Sequence, residues 1–352
     1  MIAEKGSVWK ELLIIAGLVA VLAPLSRLVT FEEPEWPRRP IELVVFSGAG
    51  GGTDLANRVL AAAMEEEVGA EIRVSNMTGG RGGVAAQYVH GGRHDGHRWM
   101  GASETVLSLA TRGGHHTTAR DWHFFIFAGS PGVLSVPQHS PYRTFEDLQR
   151  AARERPDQLT IAASGRGSVW HLRTEMLREH AGLNLRFIPY EGSGAAQVAA
   201  LSGEVDAVHT GLAEQLNLIE GGRLRPLAMI EPEAAEGERI GRIPALTEFL
   251  PGVAEHLTLP QWLGFMVPVD TPPEVVAAVD RAFHRAMDSD RVKDFLSVTH
   301  NRRYGLSGEP ARAMAERLES VLNWMMYDVG IVKESPARFG IPRPAEENGV
   351  ES

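Results

Sequence analysis

The stretch VVFSGAGGGTDLANRVLAAAM, Val44 to Met64, decides how the rest of the chain is read. An apolar strand-like run passes through four glycines and a Thr53–Asp54 pair into apolar positions at helical spacing. In that order, several backbone N–H groups and a helix N-terminus can converge on one anion. The dinucleotide fingerprint G-x-G-x-x-G is not met: counting from Gly48 its last position is Thr53, and from Gly50 it is Leu55. No lysine follows the glycines, so the phosphate loop ending in G-K-[ST] fails as well. Tight helix-on-strand packing with no ligand is the bland alternative.

A second loop of the same kind, ASGRGSVWHL from Ala163 to Leu172, again joins a strand to a helix. It is not a G-x-S-x-G elbow, since Ala162 stands two residues before Ser164 and Arg166 two before Ser168. A third turn carries Tyr190, Gly192 and Ser193, and NMTGGRGG places Arg81 among glycines in the first half. Glycine turns at the carboxyl ends of strands are where open α/β sheets bind ligands.

The chain as a whole narrows the choice of ligand. Its 352 residues, 43% of them hydrophobic, are long enough for two domains. A formal charge of -10 without a Lys/Arg cluster argues against nucleic acid, so an anion site must be made locally by dipoles and a few Arg or His. The absence of cysteine excludes disulfides, thiolate catalysis and Cys-ligated metal centres. Lys5 and Lys10 before the uncharged run LLIIAGLVAVLAPLS predict a signal peptide or signal anchor over 1–30, with a linker over 31–39.

From Pro40 onward strand and helix patterns alternate, implying parallel sheets covered by helices. HFFIFAGSPGVLSV reads as strand material leading away from a first α/β unit, PQHSPYRTF as the crossing, and LPQWLGFMVP as the return. PEAAEGER reads as a solvated loop, and the chain beyond Pro272 as mostly helical. The histidine pairs His115–His116 and His94–His97 lack metal-binding helix spacing, so no metal and no cofactor are expected.

With these motifs assembled, the chain resembles the substrate-binding proteins of the tripartite tricarboxylate transporter family, the Bug-type extracytoplasmic solute receptors. The likeness runs from about Pro40 to Trp324, through G-G-G-T-D at Gly50–Asp54, N-M-T-G-G-R-G-G at Asn76–Gly83, D-G-H at Asp95–His97, and A-S-G-R-G-S at Ala163–Ser168. It continues through I-P-Y-E-G-S at Ile188–Ser193, S-G-E-V-D at Ser202–Asp206, and W-L-G-F-M-V-P at Trp262–Pro268. The resemblance implies a type II periplasmic-binding-protein-like fold, with two α/β domains around a ligand cleft. Domain 1 is expected at 40–138 plus 262–335, domain 2 at 139–261, and a flexible tail at 336–352. It implies a non-enzymatic, extracytoplasmic monomer that captures a small organic carboxylate and delivers it to membrane permease subunits.

Carried over on that likeness, the ligand residues are Gly51, Gly52, Thr53 and Asp54 in the first loop, then Ser164, Gly165, Gly167 and Ser168, with Tyr190 and Thr210. Asp54 can instead cap the helix. Ser47, Arg81, Ser103, Arg166, His171 and His209 complete the candidate set. The chain departs from the family pattern at Phe46–Ala49, where proline usually precedes the triple glycine, at Arg166, where Asn is common, and at Thr210, near which Asp is frequent. Arg166 is either a second carboxylate grip or a solvated loop tip. A ligand-sensing receptor domain is the alternative function, and an α/β hydrolase or transferase a weaker one, because no motif supplies a nucleophile with its base.

Overall fold

A computed structural model describes residues 36–257 and 259–344. The predicted signal segment, most of the linker and the last eight residues of the tail lie outside them. Internal contacts divide the chain into Met1–Arg38, of which only 36–38 are described, and Arg39–Ser352, which carries everything below. No helix among the described residues is long and apolar enough to cross a membrane.

β1 (Ile41–Val45) leads through the first glycine loop into α1 (Gly52–Val68), then β2 (Ile72–Asn76), α2 (Gly83–His90), β3 (Arg98–Ser103) and β4 (Trp122–Ser130). β5 (Gly132–Pro137), α3 (Phe145–Glu154), β6 (Thr160–Ser164), α4 (Val169–His180), β7 (Arg186–Tyr190) and α5 (Ser193–Ser202) follow. Next come β8 (Ala207–Gly211), α6 (Leu212–Glu220), β9 (Leu224–Met229), the hairpin β10 (Ala235–Gly237) and β11 (Gly241–Ile243), and α7 (Leu246–Phe249). The chain closes with β12 (Gln261–Pro268), α8 (Pro273–Met287), α9 (Asp290–Thr299), β13 (Arg302–Leu306) and α10 (Gly308–Asp328).

These strands build two sheets, ordered β13-β4-β12-β3-β1-β2 and β7-β6-β8-β5-β9. In the first, β1 lies parallel to β2 and β3, as helical crossovers require, and β12 returns antiparallel between β3 and β4. Every residue of β12 is buried, which is why WLGFMVP reads as a continuous apolar run. On one side of this strand Trp99, Phe265 and Phe125 stack in sequence, with ring centroids 4.6 and 4.7 Å apart.

Three expectations change. β4 and β5 belong to different sheets: β5 pairs with β8 and β9, so the chain crosses at Pro131, not in PQHSPYRTF. The two strands merge in the sequence because both are almost wholly buried and only Pro131 separates them. The acidic segment read as a loop contains β10, which pairs antiparallel with β11 just beyond it. Residues 336–344, expected as flexible tail, dock on α10: Trp324 Nε1 donates to Pro342 O at 2.8 Å, Arg343 pairs with Asp328 at 2.8 Å, and Ile341 is buried.

A buried ion pair stands beside the crossing. Glu231, just past β9, accepts from Arg173 Nη1 at 2.7 Å and from Gly132 N–H at 2.9 Å, while Arg173 Nε donates to Leu259 O at 2.7 Å. One carboxylate thus holds the outgoing strand, α4 and the returning segment together.

Two buried carboxyls give the molecule a pH signature. Desolvation pushes Glu104 and Glu319 up to about 7, although Ala119 N–H donates to Glu319 at 2.7 Å and favours its charged form. A carboxyl with a raised folded pKa stabilises the protein fully below its unfolded value of 4.5 and loses that contribution as pH rises through about 7. Glu319→Gln keeps an acceptor for Ala119 N–H and cannot ionise. We expect it to match the parent protein at pH 4.5 and exceed it by on the order of 2 kcal/mol at pH 8, measured by denaturant unfolding.

Candidate functional site

The first glycine loop is held by Asp54. Its carboxylate, 1% exposed, accepts from Gly50 N–H at 2.8 Å, Asn76 Nδ2 at 2.7 Å and Arg58 Nε at 3.0 Å. Burial alone would raise its pKa, but the bonds from Arg58, Gly50 and Asn76 together hold it below the ordinary aspartate value. Asp54 therefore shapes the loop, and Gly51 stands at the helix N-cap with Gly52 and Thr53 following it.

The second loop is built in the same way from the other sheet. Ser168 caps α4, its Oγ accepting His171 N–H at 3.2 Å. His171 Nδ1 accepts Gly167 N–H at 3.0 Å, its Nε2 lies 3.4 Å from Glu175, and its ring stacks on Phe187. Gly167 has φ +76, and a Cβ there would press on Arg112 and Met326, so the turn requires glycine.

Both loops open onto one cavity of about 860 Å³. Ser47, Gly51, Gly52, Thr53, Arg81 and Ser103 line it from the first sheet's side, and Ser164, Gly165, Arg166, Ser168 and Tyr190 from the second. Five candidates do not line it: Asp54, Gly167, His171, His209 and Thr210. His209 is fully buried beside Arg173 and Trp170, and desolvation first, then the Arg173 charge, pulls its pKa down to about 3, so it is a neutral core histidine. Thr210 Oγ1 accepts from Gln197 Nε2 at 3.2 Å and Gln215 Nε2 at 3.0 Å, which sets Gln197 in the cavity wall. Trp262 is wholly buried away from the cavity, and Trp170 lines it.

Several wall residues escape a sequence reading. Arg112, from the turn after β3, donates to the carbonyl oxygens of Arg166 and Gly167 across the cavity. Burial first, then the neighbouring Arg81 guanidinium, pulls Arg112 down to about 10. Neither Arg81, Arg112 nor Arg166 has a carboxylate in ion-pair range among the described residues. Ser47 Oγ is buried with no hydrogen-bond partner. These groups leave positive charge and donor capacity unmet.

One acid faces them. Glu214, on the first turn of α6, accepts from Gly211 N–H at 2.9 Å and also from Ser193 and the Gly52 N–H. It reaches from the second sheet's side to the N-terminus of α1. Desolvation raises its pKa despite the bonds from Gly211, Ser193 and Gly52. Among the described lining residues there is no His, Lys or Cys, and the loop amides and arginines give the cavity the equipment of an anion receptor.

Comparison with known proteins agrees with this geometry. The model of the Tripartite tricarboxylate transporter family receptor matches residues 56–315. A protein encoded in the gbd 5' region of Cupriavidus necator is 30% identical over 290 residues, covering 80% of this chain and 85% of its own. Among solved structures, R. palustris Rpa4515 with adipate superposes with a TM-score of 0.71 at 26% identity, covering 84% of this chain and 99% of that one. MatC of Rhodopseudomonas palustris, with bound malate, shares the fold at a TM-score of 0.69 and 23% identity, covering 82% and 100% of the two chains. The chain belongs to the tripartite tricarboxylate transporter receptor family, whose members bind a solute and are not enzymes.

Proposed function

We propose that this receptor captures a small organic dicarboxylate in the cavity and presents it to the permease subunits of a tripartite tricarboxylate-type transporter outside the cytoplasmic membrane. One observation carries the reading: amide-rich helix N-termini from both sheets open on a single cavity of about 860 Å³ beside three arginines, none of which has a carboxylate partner among the described residues. Such a volume is in the usual range for small-molecule sites. The α1 N-terminus, with Arg81 and Arg112, takes one carboxylate through charge-assisted bonds, and Ser164, Gly165 and Arg166 take the other. Ligand contacts to both sides favour the closed arrangement, as differential binding requires. Adipate in Rpa4515 and malate in MatC support a two-headed acid as the ligand class.

A thermal-shift panel of aliphatic dicarboxylates, tricarboxylates, monocarboxylates and amines tests this. A preferred dicarboxylate at about a hundred times its Kd should add roughly 2.7 kcal/mol, a rise in Tm of about 5 °C, and amines should do nothing. If no acid moves the transition, the receptor reading fails.

A further inference from the structure

Outside the cleft, three histidines from two separate segments meet. His90 ends α2, and His115 and His116 lie on the loop 112–118; one ring nitrogen from each falls within 4.8 Å of the others. Their rings stand 5.7, 5.5 and 4.3 Å apart, with Trp122 walling the group 5.3 Å from His90. Spacing along the chain hides this trio, because the fold supplies the third member 25 residues before the adjacent pair.

The loop is fixed in place. Gly114 and His115 N–H groups both donate to Leu109 O, at 2.8 and 3.3 Å, and Gly114 O lies where a side chain on Gly83 would stand, so only glycine lets the loop meet α2. His115 Nδ1 is bonded to Thr117 Oγ1 at 3.0 Å, which orients the ring. Its other nitrogen, Nε2, is buried with no hydrogen-bond partner. Leaving a buried polar atom unmet is costly, and an imidazole held by one nitrogen with the other free is how metal-bound histidines are arranged. Nearby His94 is already engaged, its Nε2 on His90 O at 2.7 Å and its Nδ1 3.5 Å from Asp270.

We infer that His90, His115 and His116 form a binding site for one borderline divalent transition-metal ion such as Zn²⁺, distinct from the carboxylate cleft. Three imidazoles select this class over Mg²⁺ or Ca²⁺, which take oxygen ligands. His116 is exposed, leaving a fourth position open to water. Zn–N bonds of about 2.0–2.1 Å in a tetrahedron set the nitrogens roughly 3.3 Å apart, so the site tightens by side-chain rotation when loaded.

The test is calorimetric titration of tag-free, EDTA-stripped full chain with Zn²⁺, beside His116→Ala and the surface control His139→Ala. Expected are one Zn²⁺ per chain at micromolar or tighter Kd, loss of at least about tenfold in affinity for His116→Ala, and no loss for His139→Ala. X-ray absorption of the Zn²⁺ adduct should show three imidazoles, a readout that holds even if His116→Ala does not fold. Absence of saturable uptake by the parent protein, undiminished affinity in a folded His116→Ala, or a zinc shell with fewer than three imidazoles overturns the site.

Discussion

Replacing Glu231 by alanine is expected to cost about 3–5 kcal/mol of folding stability, the largest loss of any single polar substitution considered for this chain. The variant strands Arg173, 2% exposed, without its carboxylate, and frees Gly132 N–H at the sheet crossing. A buried ion pair contributes little net stability when intact, but removing one partner leaves a charge with nothing to replace water. Removing both should be much milder, so a double-mutant cycle with Arg173→Met separates pair energy from desolvation. Denaturant unfolding reads it: a loss below about 1 kcal/mol for Glu231→Ala would mean the pair is solvated, against its geometry.

The second large effect concerns ligand affinity. Glu214→Gln is expected to bind the preferred dicarboxylate about tenfold to a hundredfold more tightly at pH 8. Glu214 occupies the Gly52 N–H at the head of α1, the position proposed for a ligand carboxylate. No Lys or Arg pairs with it among the described residues, and its other partners are Gly211 N–H and Ser193. Two like charges about 4 Å apart repel by about 4 kcal/mol at an effective dielectric near 20, part of which Glu214 avoids by turning aside. An arriving carboxylate raises the Glu214 pKa further, so binding takes up a proton and parent affinity strengthens as pH falls. The glutamine variant should lose that pH dependence. Titration calorimetry at pH 6 and 8 decides; weaker binding by Glu214→Gln would make Glu214 part of the grip instead of a competitor.

What the chain discloses follows from how local each signal is. The glycine loops and their flanking elements are contiguous patterns, so Gly51, Gly52, Thr53, Ser164, Gly165 and Ser168 can be named from residue order and found on one cavity. Glu214 is harder because LAEQLNLIE, which forms α6, follows β8 with no intervening loop, Gly211 being both the last residue of the strand and the helix N-cap. Arg112 matters through contacts to Arg166 and Gly167, more than fifty residues later, which no local pattern encodes. His171 and His209 looked chemical by position, yet a bond to Gly167 and complete burial give them structural work. β13 is missed for a related reason: an edge strand only partly buried carries charged Arg302 and Arg303 and little apolar alternation.

The central claim is that turns from both sheets hold one acid together. A crystal structure with the preferred dicarboxylate tests it most directly. The account predicts one carboxylate on the amides of Gly51–Thr53 near Arg112, with Glu214 displaced, and the other against Ser164–Arg166. A ligand touching only one of the two loops, or seated outside the cavity they share, would contradict it.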